Sequence, residues 1–326
     1  RDIMQKFYRE GAFDPVSNLL FGEGGAGTYS DGKLYTRVND ALCRHVLEAL
    51  YRHGADPDIL VDTRPHIGSD RLGTICMRMR KRIEELGGEV RFEAHVDDLR
   101  IEDGKLVALH VASTDATRAG EWIEADAVLL AVGHSARDTI RLLNERVVRI
   151  TPKPFQIGVR IEHPQAMVDR WQYGAAAGHR RLGAAEYHLV AKGVAGERGD
   201  MFSFCMCPGG QILPTNESPE LIATNGASRA RRSSPYANSG LVITLDPHTL
   251  EGQKALSSSE QDEAELTLRA VQFQAMWEHR AFEATRRTYR VPAQRASDFL
   301  AGRSSDGTLE TSFPLGGMWT DISTIV

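Results

Sequence analysis

Cysteine and long apolar runs are both scarce in this chain. Only four cysteines occur in 326 residues, too few for a disulfide framework in a chain of this length. No uninterrupted run of 18 apolar residues occurs, so no segment is expected to cross a membrane, and no signal-peptide pattern opens the sequence. These absences predict a cytoplasmic protein that makes no membrane contact.

Basic charge is also lacking. The net charge is −5 and the isoelectric point is about 6.2, which is not the electrostatic footprint of a nucleic-acid-binding protein. The local cluster Arg229, Arg231 and Arg232 is the exception, and it leaves room for an RNA partner.

Several catalytic motifs are missing. The sequence contains no G-x-S-x-G and no H-E-x-x-H, which removes support for a serine hydrolase and for a zinc protease. Cys43 and Cys76 each stand alone on a predicted helix, so no second cysteine pair completes a zinc site. No metal site is predicted.

Glycine is abundant in one segment. Residues 21–37 read FGEGGAGTYSDGKLYTR, with five glycines. Glycine lets backbone approach a ligand closely, and exposed N–H groups in such a loop attract anions. However, Leu34 stands where a P-loop needs Ser or Thr, and the next helix begins only near Asn39, too late for the dinucleotide fingerprint. The pattern favours a cofactor loop, with a purely structural turn as the alternative.

The first half of the chain is predicted to form an α/β domain over residues 1–150. Apolar spacing indicates helices over 39–53, 70–86 and 136–144. Residues 89–95 alternate as a strand, and Asp103-Gly104 predicts a hairpin between 96–102 and 105–112. The continuous apolar run 127–132 is typical of a strand buried on both faces. Together they suggest a mostly parallel sheet, with Gly133 and His134 at a strand end where ligands gather.

The second half, residues 151–326, is predicted to be a separate domain with a largely antiparallel sheet. Prolines punctuate its beginning, and a long helix is predicted over 258–280. The candidate strands are 155–162, 187–192, 201–206, 221–224 and 241–245.

Three further residues in this half are chemical candidates. Cys205 and Cys207 in SFCMCPGG lie two apart, so on a strand both sulfurs share a face; a C-x-C redox pair and two ordinary core cysteines are both open. The following Pro208-Gly209-Gly210 permits a tight backbone approach. Arg160 in IGVRIEHP is predicted to be buried and to need an anion, either a substrate or cofactor group or an internal acid.

Five segments in order, GEGGAGTYSDGKL, GHSARDT, PFQIGVRIEHPQ, SFCMCPGGQI and TNGAS…RRSSPYANSGLVIT, resemble the uncharacterised FAD-dependent dehydrogenases. These belong to the NAD(P)/FAD-dependent oxidoreductases with a glutathione-reductase-type flavin fold. The resemblance implies an α/β fold class, in which a Rossmann-like three-layer FAD domain carries an inserted, largely antiparallel domain.

The resemblance also implies roles for individual residues. Val96 would pass the adenine, Gly133 and His134 would lie near the adenosine or pyrophosphate, and Cys205, Cys207 and Gly209 would face the flavin ring. The flavin side of the cleft would be lined by Gly24, Gly25, Ala26, Gly27, Ser30, Asp31, Gly32 and Lys33.

This sequence departs from that family at both ends. It lacks the N-terminal G-x-G-x-x-G unit that holds the pyrophosphate and the glycine-rich segment that closes on the flavin. We therefore expect a fragment of a longer protein, inactive when isolated from the missing parts.

The leading functional hypothesis is an FAD-dependent oxidoreductase acting on a small molecule, with NADH or NADPH as the electron donor. Lys33 would stabilise negative charge on the reduced flavin, and Cys205 with Cys207 are candidate redox partners. One alternative is a flavin-binding protein with a recognition role, such as an RNA-modification partner or scaffold. Another is a chain without a cofactor, whose glycines serve only turns.

Overall fold

The computed structural model describes residues 2–34, 36, 38, 40–113, 119–193, 199–250 and 260–325. The chain divides into two compact units. The first comprises Arg1–Leu86, Gln156–Thr244 and Ala275–Val326, and the second comprises Gly87–Phe155 and Leu245–Gln274. The sequence-based division at residue 150 into a cofactor domain and an inserted domain concerns the role of each part, and it stays a prediction.

The helices follow the predicted apolar stripes closely. The Asp40 carboxylate accepts a hydrogen bond from the Leu42 backbone N–H at 2.7 Å and so begins the first long helix of the chain. The next helix buries Leu72 and Ile75 three positions apart on one face. In chain order the helices are α1 (Asp2–Glu10), α2 (Gly25–Thr28), α3 (Leu42–Arg52), α4 (Ser69–Glu85), α5 (Arg137–Glu145), α6 (Gln165–Tyr173), α7 (Glu260–Ala284) and α8 (Ala296–Leu300).

Strands form several small sheets. They are β1 (Ala94–Glu102), β2 (Lys105–Ser113), β3 (Glu121–Glu124), β4 (Phe155–Pro164), β5 (Val190–Ala191), β6 (Met201–Cys207), β7 (Gly210–Pro214), β8 (Thr224–Ser228), β9 (Tyr236–Leu245), β10 (Val291–Ala293) and β11 (Gly317–Trp319).

Antiparallel pairing dominates these sheets. The sheet orders are β1-β2-β3, β4-β9-β6-β5, β7-β8 and β10-β11. Strand β6 pairs antiparallel with β9 and with β5, and β7 pairs antiparallel with β8, whereas β10 and β11 pair in parallel. This mixture of helices and antiparallel sheets agrees with the predicted α/β class.

In the first unit, the core that supports the glycine-rich loop lies along α4. Its buried side chains come from α4 and from the connection that precedes it, and the partly buried Leu34 packs against them. This cluster fixes the loop's exit against the start of α4. Its members are Ala55, Ile59, Ile67, Leu72 and Ile75.

In the second unit, the predicted hairpin is confirmed. Asp103 and Gly104 have φ of 49° and 73°, which are the left-handed values that a tight two-residue hairpin turn requires. Glu102 pairs with Lys105 across that turn, and β2 continues into antiparallel pairing with β3.

The predicted buried strand over 127–132 is wrong. No strand forms there, and Leu129 is 92% exposed. Such a strand needs hydrogen-bonding neighbours on both sides, and among the described residues of this unit none pairs with it. Apolar composition alone therefore predicted a strand that does not form in the described part of the chain.

Three other strand predictions fail in part. Of residues 89–95, only the last two join β1, because Glu93 has a φ of 55° and breaks the extended chain. Of 187–192, only β5 forms. Residues 221–223 are not a strand, because the Ile222 backbone N–H donates to the Glu278 carbonyl of α7 at 3.0 Å, and β8 begins at Thr224.

Among the described residues, no helix combines the length and apolar character needed to cross a bilayer.

Candidate functional site

The first unit contains a buried cluster of charged groups around Asp31. The Asp31 side chain is only 1% exposed, and its Oδ2 lies 2.6 Å from Lys33 Nζ and 3.3 Å from Arg232 Nη2. Two cations therefore share one carboxylate, which leaves this cluster with an excess of positive charge. Buried charges persist only when they are paired or hydrogen-bonded.

The end of the glycine-rich loop positions Asp31 and Lys33. The Ser30 hydroxyl donates to the Gly27 carbonyl at 2.8 Å and accepts from the Gly32 N–H at 3.0 Å, which closes a tight turn. Lys33 then forms an isolated antiparallel bridge with His66. The turn thus delivers both side chains from a loop that is anchored on each side.

The arm after β8 positions Arg232. The Ala230 backbone N–H donates to Asp70 Oδ1 at 2.8 Å, and the Ser69 hydroxyl donates to the Ser228 carbonyl at 3.2 Å. The start of α4 therefore holds this arm against the loop that carries Asp31.

Two cysteine thiols complete the cluster. Cys207 is fully buried, and Lys33 Nζ donates to its Sγ at 3.9 Å, while Cys207 Sγ in turn donates to the Cys205 carbonyl at 3.3 Å. Strand β6 is irregular here, since its register against β9 shifts between Phe204 and Cys207, and Cys205 has a φ of 47°. The simple strand alternation predicted for the two cysteines is therefore interrupted by a bulge.

Arg160 lies near Cys207, because both side chains border Gly226. Its guanidinium donates to Asn238 Oδ1 at 2.8 Å and to Asn225 Oδ1 at 3.5 Å. Among the described residues it makes no ion pair with a carboxylate. The sequence left open whether Arg160 pairs with a ligand anion or with an internal acid. Among the described residues its partners are two neutral amides instead of an acid, and they leave its positive charge uncompensated.

The charges shift several pKa values. Burial alone would raise the pKa of Asp31, but Lys33 and Arg232 outweigh it and lower that pKa. Burial alone would lower the pKa of Lys33, but Cys207, Asp31 and Cys205 together raise it. Both groups are therefore charged at neutral pH.

The two thiols are shifted in opposite directions. A hydrogen bond between the two cysteine side chains lowers the pKa of Cys205 to about 6, helped by Lys33 and Arg160 against the effect of burial. The same hydrogen bond and burial raise the pKa of Cys207 well above its usual range. A thiolate is therefore stabilised at Cys205 and a thiol at Cys207.

Unsatisfied polar atoms concentrate in this cluster. Four buried side-chain atoms here have no hydrogen-bond partner among the described residues. Buried polar atoms are normally paired, so such a concentration is typical of a site that completes its hydrogen bonds with a ligand or water. The four atoms are Asp31 Oδ1, Arg160 Nε, Arg232 Nε and Asn238 Nδ2.

The glycines of the glycine-rich loop differ in how closely other atoms pack against them. Residues Gly25, Ala26 and Gly27 lie in the one-turn helix α2. A Cβ on Gly24 would overlap Thr28 and come within 2.8 Å of Cys76 Sγ, whereas a Cβ on Gly27 would meet nothing within 4 Å. Gly24 is thus required by packing within the chain, and Gly27 leaves its backbone accessible.

Gly209 is buried in the turn after β6. Its N–H donates to Gln165 Oε1 at 2.7 Å, and the Ser234 N–H donates to its carbonyl at 3.1 Å. The sequence predicted that backbone could approach this turn closely, and the main chain of Arg232 does so. The role of Gly209 against a flavin stays a prediction.

The remaining predicted residues belong to the second unit. Val96 lies in β1 opposite Val111, and Gly133 has a φ of 74° in the segment before α5. His134 follows directly, with its Nδ1 at 3.3 Å from the Ser135 hydroxyl. Their predicted contacts with an adenosine group also stay predictions.

Sequence reasoning missed Asn225, Gly226 and Asn238, and it assigned Arg232 to a surface patch. Arg232 instead engages Asp31. The signal for the two asparagines was present, since TNGAS and YANSG are among the segments that carry the family resemblance, but their pairing with Arg160 required the sheet register.

Gly226 gives a first prediction. A Cβ on it would lie 2.7 Å from Cys207 Sγ and 2.8 Å from Arg160 Nη1, and it would overlap Asn238 Oδ1. Gly226→Ala should therefore overpack the cluster and lower the free energy of unfolding by about 1–3 kcal/mol. Urea denaturation checks this, with the exposed Gly183→Ala, whose Cβ meets nothing within 4 Å, as the control that should change little. Equal stability of the two variants would contradict a closely packed cluster.

Comparison with known proteins gives two findings. Residues 154–326 match the model of a family described as "FAD-dependent protein, C-terminal domain-like". A curated protein of Clostridium beijerinckii (strain ATCC 51743 / NCIMB 8052), named "Uncharacterized protein", is 37% identical over 304 residues, which are 93% of this chain and 53% of that protein. The chain therefore spans about half the length of the curated relative it matches.

The family match covers more than half of the chain and includes Arg160, both candidate thiols and Arg232. It confirms the FAD-dependent character predicted from the ordered sequence motifs. The chain belongs to the family of FAD-dependent proteins that share this C-terminal domain.

Proposed function

We propose that this chain is part of an FAD-dependent oxidoreductase, a dehydrogenase of the glutathione-reductase-type flavin fold with a Rossmann-like three-layer cofactor domain. One observation carries the proposal. Lys33, from the glycine-rich loop, lies 3.9 Å from Cys207 in the SFCMCPGG segment. The two segments that the resemblance assigns to the flavin therefore meet within one compact unit.

The residues present fit a flavin on chemical grounds. Lys33 has three N–H donors, of which one is directed at Asp31 and one at Cys207, so one is available to a ligand. Lys33 and Arg232 share the single carboxylate of Asp31, and Arg160 adds a third positive charge near Cys207. Four polar atoms of the cluster have no hydrogen-bond partner among the described residues. This donor-rich, positively charged environment suits a ring system that gains negative charge on reduction.

When bound, FAD supplies the redox chemistry, and the chain's own residues prepare its surroundings. Lys33 holds a preorganised positive charge, because Asp31 fixes its position and because Cys207 and Asp31 raise its pKa. The open backbone at Gly27 allows close approach of a flat group. The anchored turn at Gly209 keeps Cys205 and Cys207 in register beside Lys33.

The remaining elements of the proposal come from the resemblance. NADH or NADPH would donate electrons, and a small-molecule substrate would bind against residues 205–210. Val96, Gly133 and His134 would contact the adenosine part of the cofactor. In the full-length protein the segments beyond this chain would complete the pyrophosphate site.

The experiment uses the full-length protein. Purified without added cofactor, it should show the visible absorption of an oxidised flavin, and NADH or NADPH should bleach that absorption. A pure, folded and colourless protein that takes up no added FAD would remove the proposal.

A variant tests the part assigned to Lys33. Lys33→Met should leave FAD bound but slow the bleaching by NADH or NADPH by about 100-fold, the loss expected when one preorganised donor is removed. Lys153→Met, which removes an exposed lysine elsewhere, is the control and should leave the rate unchanged. Bleaching at the wild-type rate in Lys33→Met would exclude this role.

The recognition role without turnover makes a different prediction. It would retain the flavin absorption but show no bleaching by either nucleotide, and it would bind RNA in a salt-dependent manner. Because Arg232 is engaged with Asp31, the basic cluster presents fewer free charges than its sequence suggests, so we favour the oxidoreductase.

A further inference from the structure

The two cysteines of β6 are two positions apart, at a point where the strand is irregular. On a regular strand, residues two apart have Cα atoms about 6.7 Å apart, near the upper limit of about 6.8 Å for a disulfide. The register shift between Phe204 and Cys207 and the left-handed φ of 47° at Cys205 break that extended spacing. Cys207 Sγ already lies 3.3 Å from the Cys205 carbonyl.

The backbone at Cys205 is strained. A left-handed conformation is unfavourable in a residue other than glycine and persists only where the surroundings impose it. Here the surroundings are specific: the turn after Cys207 is fixed by Gln165 through the Gly209 N–H. The strain therefore falls two positions before Cys207, the thiol that Lys33 contacts.

The surroundings of the pair favour an anion on one sulfur. Lys33 lies 3.9 Å from Cys207 Sγ, and Arg160, which pairs with no carboxylate among the described residues, lies close enough to both thiols to be influenced by them. The one carboxylate in the cluster, Asp31, is itself paired with Lys33 and Arg232. The partly exposed Cys205 and the fully buried Cys207 are thus inequivalent.

We propose that Cys205 and Cys207 form a dithiol–disulfide couple that reduces a small-molecule disulfide, with Cys205 as the attacking sulfur and Cys207 as the resolving sulfur. The Cys205 thiolate bonds to one sulfur of the substrate disulfide, and the other sulfur leaves as a thiolate. The Cys207 sulfur, after losing its proton, then bonds to Cys205 Sγ and releases the second thiolate. Overall, two protein thiols become one disulfide and the substrate disulfide becomes two thiols.

This inference deepens the proposed function in one respect. Regeneration of the dithiol rests on the proposed flavoenzyme, because it takes two electrons and two protons from the reduced cofactor. The forward step requires only the protein thiols and the disulfide, so it is testable by itself.

The sequence offers a direct readout. The tryptic peptide 199–229 contains Cys205 and Cys207 and no other cysteine, so its mass reports their state whatever other cysteines the full-length protein holds. The full-length protein is mixed with a stoichiometric amount of the aromatic disulfide dithiobis(nitrobenzoate), quenched with acid and digested. The wild-type peptide should become lighter by two hydrogen atoms, without a retained nitrothiobenzoate group.

The variants should distinguish the attacking sulfur from the resolving sulfur. Cys207→Ser should retain one nitrothiobenzoate group on Cys205, because the resolving sulfur is missing. Cys205→Ser should slow labelling of the peptide by about tenfold or more, since Cys207 remains a buried, protonated thiol. Cys43→Ser removes a cysteine outside the cluster and should not alter the peptide's oxidation. Circular dichroism verifies that each variant is folded. The mass of the wild-type peptide tests the proposal even if a variant fails to fold.

The pH dependence gives a second readout. Labelling of Cys205 should speed up as the pH rises through about 6 and level off above it, because the thiolate is the nucleophile. Removal of the Lys33 charge in Lys33→Met disfavours the thiolate, so the rise should move to higher pH.

Three outcomes would overturn the proposal: a wild-type peptide that stays reduced, a wild-type peptide in which both cysteines carry separate adducts, or a Cys205→Ser variant that reacts as fast as wild type. Flavin absorption is recorded on the same sample. Peptide oxidation in a colourless protein would refute the proposed function alone, whereas a flavin-bound protein with inert thiols would refute this inference alone.

Discussion

Replacement of Gly209 by alanine is expected to lower the free energy of unfolding by about 3 kcal/mol or more, the range of severe overpacking against backbone combined with a strained φ. Gly209 has a φ of 51°, and a Cβ on it would overlap the carbonyl group of Arg232. The obstacle is main chain, which cannot rotate away as a side chain can. Relief would push Arg232 away from Asp31, so the ion cluster should weaken as well.

The matched control is Gly178→Ala. Gly178 also has a positive φ, 83°, but a Cβ there would meet nothing within 4 Å. It carries the conformational cost alone, which we expect to be about 1 kcal/mol. Urea denaturation followed by tryptophan fluorescence compares the two variants. If both lose the same stability, the close contact with Arg232 is not a constraint on the fold.

Asp31→Ala is expected to lower the free energy of unfolding by about 3–5 kcal/mol, as when one partner of a buried ion pair is removed. The variant leaves Lys33 and Arg232, whose side chains are only 15% and 20% exposed, facing each other without a carboxylate. Lys33 would then also lose one of the interactions that raise its pKa, while that with Cys207 would remain. Denaturation measures the first effect, and slower bleaching of the flavin by NADH or NADPH would report the second.

Asp306→Ala is the control for charge removal. Asp306 is fully exposed and pairs with Arg295 at 3.9 Å, so its loss should leave stability almost unchanged. A loss from Asp31→Ala as small as this would mean that solvent screens the cluster.

The Asp31 pairing also predicts a pH dependence. Because the folded pKa of Asp31 is lowered from 3.8, the carboxylate stabilises the fold fully above that value and loses this contribution as the pH falls through the lower, folded pKa. Wild-type protein should therefore lose stability in this acidic range, and Asp31→Asn should lose less. Parallel acid-denaturation curves for the two proteins would contradict the assignment.

Local signals in the sequence were sufficient for local structure. Asp103-Gly104 predicted its hairpin because both residues tolerate the left-handed backbone that the turn needs, and α4 was predicted to within one residue because its apolar stripe has a helical period. The strand predicted over 127–132 was wrong because an apolar run indicates only that burial is favourable. Such a run does not indicate whether a neighbouring strand is available to bury it.

The candidate site was predictable only in part. Lys33 and the two thiols were selected from motifs, and the structure brings them together. Arg232 and the asparagines around Arg160 were not foreseen, because contacts over such sequence distances leave no periodic pattern. The bulge at Cys205 likewise depends on the pairing of β6 with β9, which no short motif encodes.

The long interval between Lys33 and Cys207, 174 positions along the chain, has a consequence for biosynthesis. A ribosome adding about 5–20 residues per second needs roughly 9–35 s to cover that interval. During this time Lys33 has been made but Cys207 has not, and Cys207 in turn is made before Arg232 and Asn238. Premature termination within this interval would therefore leave Asp31 and Lys33 paired only with each other, without Cys207 and Arg232.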